Sequence, residues 1–282
     1  MKIINSIIEI KNLSFESRKQ GLSVGLVPTM GFLHEGHLNL FRQCRKENEV
    51  TIASIFVNPI QFGPNEDLDS YPSDLDGDQK KLAAEGVDFL FMPKRDEFYQ
   101  KGFKTSVIVN EISKRLCGQS RPILFNGVTT VVLKLFNIIQ PQKAYFGEKD
   151  WQQLEIISTM ARDLNLDVEI MRIPIIREED GLAMSSRNAY LSEPERQSAL
   201  SLNKGLLKAK SLVLQGEFDA TLIKKEIESI ISKEPVTEID YISVCDPITF
   251  LEQKKINHKT LIALAVKVGT ARLIDNCLVE RN

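Results

Sequence analysis

The chain has 282 residues, 43% of them hydrophobic and 26% charged, with a formal net charge of −2. That balance belongs to a globular protein with room for two domains, and it argues against nucleic-acid binding by bulk phosphate neutralisation. No apolar run approaches the ~20 residues of a membrane helix, and Glu9 and Lys11 interrupt the N-terminal stretch before a signal-like core develops. The four cysteines (Cys44, Cys117, Cys245 and Cys277) are too scattered for a disulfide frame or a zinc site. They read as thiols of a reducing cytosol, so a cytoplasmic protein is expected.

Short apolar runs alternate with helical patterns through the first half. Strands are predicted over 23–27, 50–57, 87–92, 106–109, 143–146 and 167–176, and helices over 38–48, 73–85, 110–116, 127–139 and 152–165. A continuous apolar run such as Thr51-Ile52-Ala53-Ser54-Ile55-Phe56-Val57 suits a strand covered on both faces. Strand–helix alternation predicts an α/β fold with a doubly wound parallel sheet, whose ligands bind beyond the C-terminal strand ends. After residue 176 the pattern changes to helices over 193–215 and 219–233 and β-rich runs over 239–244 and 260–267. A boundary there divides the chain into 1–175 and a smaller α+β domain, 176–282.

Two of the three histidines stand in His34-Glu35-Gly36-His37, where a strand turns into a helix. Residues three apart on a first helical turn share a face, and a helix N-terminus attracts phosphate. A zinc pair is the poorer reading, because the metalloprotease helix needs histidines four apart. Taken alone, the pair reads as surface or core-satisfied histidines. Neither Gly-x-x-x-x-Gly-Lys-Ser/Thr nor Gly-x-Gly-x-x-Gly occurs, so any nucleotide must be held by other means. Lys149 follows a strand in Gly147-Glu148-Lys149-Asp150, and Ser185-Ser186-Arg187 offers two hydroxyls and a guanidinium for phosphate oxygens. Gln61 and Gln153 lie beside strand ends, where amides suit a carboxylate or hydroxyl substrate. The run Asp74, Asp76 and Asp78 reads as a solvated helix start rather than a metal site.

Together these segments resemble the pantothenate synthetase (pantoate–β-alanine ligase) family over essentially the whole chain. The marks are Val27-Pro28-Thr29-Met30-Gly31 running into His34-Glu35-Gly36-His37, then Phe56-Val57-Asn58-Pro59-Ile60-Gln61-Phe62. Phe146-Gly147-Glu148-Lys149-Asp150 with Gln153 follows, and then Asp180-Gly181-Leu182-Ala183-Met184-Ser185-Ser186-Arg187-Asn188. The resemblance implies a Rossmann-like nucleotidyltransferase fold, related to the class I aminoacyl-tRNA synthetases, with a C-terminal lid domain. It implies that ATP and pantoate form a pantoyl-adenylate and release pyrophosphate. β-Alanine then displaces AMP to give pantothenate, the coenzyme A precursor, with Mg²⁺ accompanying ATP.

By the same resemblance Met30, Gly31, Phe32, Leu33, His34, Glu35, Gly36 and His37 bind ATP, with His37 as proton donor and His34 and Lys149 also catalytic. Gly147, Glu148, Lys149, Asp150, Ile176, Met184, Ser185, Ser186 and Arg187 complete the ATP site. Gln61 and Gln153 hold pantoate, Gln61 also meets β-alanine, and Asn58, Tyr71, Asp78 and Arg121 fall on further family positions. No nucleic-acid or membrane partner is expected, and the family implies a homodimer.

One departure stands out. Where the family usually has His in Arg-Pro-x-His-Phe, this chain has Leu124 in Arg121-Pro122-Ile123-Leu124-Phe125. Leu124 cannot donate to an anion, so lost side-chain support is expected there, not lost activity. Trp151 replaces a smaller aromatic and reads as a packing change. The rival readings are another superfamily nucleotidyltransferase acting on a phosphorylated substrate, and a non-catalytic nucleotide sensor. A tRNA synthetase is weaker still, since neither a basic excess nor an anticodon-binding extension is visible.

Overall fold

A computed structural model describes residues 1–64 and 66–281. The elements are β1 (Lys2–Ile4), α1 (Ile7–Lys19), β2 (Val24–Thr29), α2 (Glu35–Glu47), β3 (Val50–Ile55), α3 (Leu75–Ala84), β4 (Phe89–Phe91) and α4 (Arg95–Phe98). Then come α5 (Cys117–Ser120), α6 (Leu124–Ile139), β5 (Lys143–Gly147), α7 (Trp151–Asp163) and β6 (Glu169–Ile173). The C-terminal part contributes α8 (Glu193–Leu214), α9 (Ala220–Ile231), β7 (Thr237–Cys245), β8 (Thr260–Val268) and β9 (Ala271–Val279). The chain forms two compact units. The first holds Met1–Ser113, Arg121–Glu148 and Gln153–Pro174; the second holds Ile175–Asn282 together with Lys114–Ser120 and Lys149–Gln152.

The first unit is a six-stranded parallel sheet in the order β1-β4-β3-β2-β5-β6. Its central strands are largely apolar and buried, as a sheet covered on both faces requires: all of β3 except Ile55 is buried, Thr51 and Ser54 included. Val27, Phe41, Cys44, Ala53, Leu90 and Tyr145 pack into one core cluster around α2. The buried Tyr145 hydroxyl donates to Glu47 and accepts from Asn48, so its polar end is satisfied. From β2 the chain moves outward through β3 and β4, then returns to place β5 on the other side of β2. The order therefore reverses between β2 and β5, the position where sheets of this kind leave a crevice beyond their C-terminal edge.

The second unit packs α8 and α9 on an antiparallel sheet, β7-β8-β9. Leu206, Ile223, Ile227, Ile262 and Leu264 lie in its core. Ser192 and Glu195 form a capping box at the start of α8, and Asp219 caps α9 through the Thr221 N–H at 2.7 Å. The fold class is thus α/β with a doubly wound parallel sheet and a smaller α+β unit.

Two predicted elements form otherwise than expected, and others go unpredicted. Residues 106–109 form no strand: the Val107 N–H goes to Thr130 Oγ1 at 2.9 Å, and its carbonyl accepts from Thr129 Oγ1 at 2.6 Å. Two hydroxyls of α6 thereby take the place of a neighbouring strand. The helix predicted over 110–116 shrinks to a 3-10 turn, Ile112–Lys114, because Glu111 and Leu116 adopt positive φ angles of 63° and 45°. The pair β1 and α1 goes unpredicted, a three-residue strand being too short for periodicity and α1 carrying exposed Ile8 and Phe15. Nor is β9 anticipated, since the buried polar pair Asp275 and Asn276 interrupts its apolar pattern.

Candidate functional site

The turn after β2 is built by its neighbours. Gly31 takes φ +88° and Phe32 φ +52°, the second a left-handed conformation that a bulky residue rarely holds unless its surroundings impose it. Here they do. The Asp78 carboxylate, 1% exposed, accepts from the Phe32 and Leu33 N–H groups at 2.7 Å each. One helical turn further along α3, Lys81 Nζ donates to the Leu33 carbonyl at 2.7 Å. Burial pushes the Asp78 carboxyl above its ordinary value, against the downward pull of the two N–H groups and of Lys81. Asp74 alone of the acidic run behaves as a helix cap, accepting from the Gly77 N–H at 3.0 Å. For Asp78 the expectation of a solvated helix start is therefore corrected: it is interior and grips the turn.

From this turn α2 begins, with His34 as its N-cap and His37 three residues on. The two imidazole centroids lie 4.0 Å apart, tilted by 39°. The His34 N–H donates to His37 Nδ1 at 3.4 Å. A ring nitrogen that accepts carries no proton in the neutral form, so His37 keeps its proton on Nε2 as a donor. Glu35 pairs with Arg42, which also binds Glu85 at 2.5 Å. Glu35 is thereby engaged on the flank of α2, while Gly36 sits between the histidines.

Beyond β3 the chain makes a 3-10 turn, Pro59–Gln61. Gln61 is 8% exposed; its Nε2 lies 3.1 Å from Met30 Sδ and its Oε1 2.9 Å from Asn58 Nδ2. Met30, Gln61 and Asn58 thus form one continuous group at the C-terminal ends of adjacent strands. Gly127 of α6 lets the helix approach: a Cβ there would meet the Gln61 Cα at 2.5 Å. Tyr71 stands edge-on to Phe62, the residue after Gln61, at 6.0 Å between ring centroids. Arg121 pairs with Glu66, its Nε 2.9 Å from Oε1. Burial raises the Glu66 carboxyl and Arg121 more than offsets this, leaving it below its ordinary value. Leu124 is the first residue of α6 and is buried. At the end of β5 come Gly147 and Glu148, and Gln153 lies half-buried on α7.

The second unit gathers the remaining cationic and hydroxyl groups. Lys149, Ser185, Asn188 and Asp275 line one hollow. Lys149 Nζ lies 3.8 Å from Asp150, and the Lys149 carbonyl accepts from Asn276 Nδ2 at 2.9 Å. Ile176 and Met184 face each other across a short antiparallel bridge, the Met184 N–H donating to the Ile176 carbonyl at 3.0 Å. Arg177 braces that bridge with a two-pronged pair to buried Asp275, at 2.7 and 3.0 Å. Ser185 caps the 3-10 turn holding Ser186 and Arg187, accepting from the Arg187 N–H at 3.3 Å. Trp151 is buried and donates from Nε1 to the Pro247 carbonyl at 2.8 Å, which gives its larger ring a partner.

Sequence reasoning missed Lys81, Tyr99, Arg177 and Asp275. Lys81 had a signal, its spacing of three from Asp78 on one helix face. The others act through partners dozens of residues away, which no local pattern announces.

The profile of the pantoate-beta-alanine ligase family matches residues 2–278. A pantothenate synthetase of Caldicellulosiruptor bescii is 54% identical over 280 residues, covering 99% of each chain. The crystal structure of pantothenate synthetase from Thermus thermophilus superposes with a TM-score of 0.92 at 41% identity, over 98% of this chain and 99% of that one. The pantoate-beta-alanine ligase of Francisella tularensis, solved with beta-gamma ATP and beta-alanine, gives 0.82 at 35% identity over 99% and 97%. Likeness of this extent, over the whole length, shows that the chain belongs to the pantoate-beta-alanine ligase family.

Proposed function

We propose a division of tasks among these residues for the family's reaction, the ATP-dependent condensation of pantoate with β-alanine to pantothenate, AMP and pyrophosphate. A pantoate carboxylate oxygen attacks the α-phosphorus of ATP, and the bond to the pyrophosphate oxygen breaks. The β-alanine amine then attacks the acyl carbon of the pantoyl-adenylate, loses a proton and expels AMP. Neither step needs a protein nucleophile, so the enzyme's task is alignment and stabilisation of charge.

The observation that carries the reading is the His34–His37 stack at the N-terminus of α2, beside the reversal point of a parallel sheet. In this reading residues 30–37 bind ATP, His37 donates from Nε2 to a phosphate oxygen, and His34 assists. Gly147, Glu148, Lys149, Asp150, Ile176, Met184, Ser185, Ser186 and Arg187 are further ATP-binding residues, the cations and hydroxyls meeting the phosphates. Gln61 and Gln153 bind pantoate, and Gln61 also β-alanine. Tyr71 and Asn58 support Gln61; Asp78 and Arg121 act by holding backbone and neighbouring charge.

Among the described residues no three His, Cys, Asp or Glu side chains are grouped to hold a metal. In this reading Mg²⁺ accompanies ATP on its phosphate oxygens, whose charge it neutralises. Four unbridged cysteines support a reducing, cytoplasmic setting, and no described helix is long and apolar enough to cross a membrane. The working form in this reading is a homodimer, which light scattering on the purified chain would test.

Pantoate labelled with heavy oxygen in its carboxylate tests the chemistry. One labelled atom should pass into AMP. Label in orthophosphate with accumulation of ADP would replace the adenylate by an acyl phosphate and overturn the reading.

A further inference from the structure

Asn58 is fully buried, and its amide faces three groups. Nδ2 lies 3.0 Å from the Gly127 carbonyl oxygen and 2.9 Å from Gln61 Oε1, while Oδ1 lies 2.9 Å from the Tyr99 hydroxyl. A backbone carbonyl only accepts, so the Asn58 atom facing Gly127 is the nitrogen, and the direction of the amide follows. Its oxygen then points at Tyr99, whose hydroxyl must donate. Its second N–H points at Gln61, whose carbonyl end is thereby engaged. Gln61 is left with its NH₂ turned toward Met30 Sδ, a weak acceptor that a carboxylate or hydroxyl oxygen readily displaces.

We propose that Tyr99 is a positioning residue for the acid substrate: through Asn58 it locks Gln61 with the amide N–H donors, not the carbonyl, presented to the ligand. This rests on the reading of Gln61 as a pantoate ligand and adds a reason for its chemistry. A glutamine free to flip offers donor or acceptor at random; one held by this relay selects an acceptor group. Tyr99 is suited to hold it. Burial pushes its phenol well above the ordinary value, so it stays protonated and donating across the working range. Its ring is fixed by Phe98, Phe103 and Phe56 at centroid distances of 5.1, 5.0 and 6.0 Å, with the Lys134 ammonium 5.6 Å from its centre. A phenylalanine at this position keeps that packing and removes only the donor.

The test is Tyr99→Phe in the wild-type and Gln61→Ala backgrounds, with Michaelis constants for all three substrates. In the wild-type background KM for pantoate should rise about three- to tenfold, the scale of one hydrogen bond, while KM for ATP stays unchanged. In Gln61→Ala the same change should add nothing, since the group being oriented is gone. An equal rise in both backgrounds, or none in the wild type, overturns the proposal. If Gln61→Ala itself leaves the pantoate constant unchanged, the substrate reading of Gln61 fails, and the relay is judged separately. Side-chain amide signals of isotopically labelled glutamine, with Gln61 assigned by its absence in Gln61→Ala, should shift or broaden in Tyr99→Phe. An unmoved Gln61 signal overturns the relay.

Discussion

Replacing Asp78 by Asn isolates the force that shapes the turn before the histidines. Two different carboxylate oxygens accept the Phe32 and Leu33 N–H groups at 2.7 Å in a site 1% exposed to solvent. Asn keeps the volume but only one acceptor; its NH₂ faces the second N–H, donor against donor. Leaving a buried donor unmet costs about 1–3 kcal/mol, and bonds to a charged acceptor are the stronger kind. Against this, the substitution removes a carboxylate whose burial already raises its pKa. The expected net loss is about 1–2 kcal/mol, or about 2–4 °C in melting temperature per kcal/mol for a unit of this size. With the turn loosened, Phe32 can relax from its φ of +52°, and KM for ATP should rise with the misplacement of His34 and His37.

The pH dependence has a definite sign. Asp78 has a folded-state pKa above its unfolded value, so its contribution to stability is complete below the unfolded value near 3.8 and is lost as pH rises through the folded value. Asn does not titrate, so the advantage of about 1–2 kcal/mol of wild type over Asp78→Asn expected at neutral pH, where the carboxylate is ionised, should grow further toward acid pH. Calorimetry across that range with ATP kinetics at neutral pH is the assay. A variant as stable as wild type, with an unchanged ATP constant, would refute the idea that this carboxylate builds the turn.

Other substitutions probe other parts of the site. His37→Ala should lower single-turnover adenylate formation by about 10²-fold or more while leaving the fold nearly intact, and near-normal adenylation would remove His37 from the chemistry. Gly127→Ala would set a methyl group 2.5 Å from the Gln61 Cα; calorimetric stability should fall by about 1–3 kcal/mol and pantoate affinity with it, whereas unchanged values would show that α6 can retreat freely. Leu124→His should improve one Michaelis constant by the equivalent of ~1 kcal/mol if a family imidazole there aids an anion. Unchanged kinetics for ATP, pantoate and β-alanine would make the position packing alone.

Local pattern carried much of what could be read from the sequence. Continuous apolar runs marked β2, β3 and β5, and the helix signals marked α8 and α9, because strand burial and helix periodicity act over a few neighbours. The parallel sheet follows from their alternation, and the placing of His34, His37 and Gln61 after strand ends follows from their order in the chain. Tertiary structure decided what depends on distant partners. Residues 106–109 have strand-like composition, yet their hydrogen bonds go to Thr129 and Thr130 of α6, so no strand forms. Asp78 lies in a run of acidic residues that looks solvated, but the backbone of Phe32 and Leu33 meets it in the interior. Tyr99 carries no motif; only the fold brings its hydroxyl to the buried Asn58 amide, 41 residues away in the chain. A buried polar group must find its partner wherever the chain brings one, and that pairing is a property of the packed structure, not of any window of sequence.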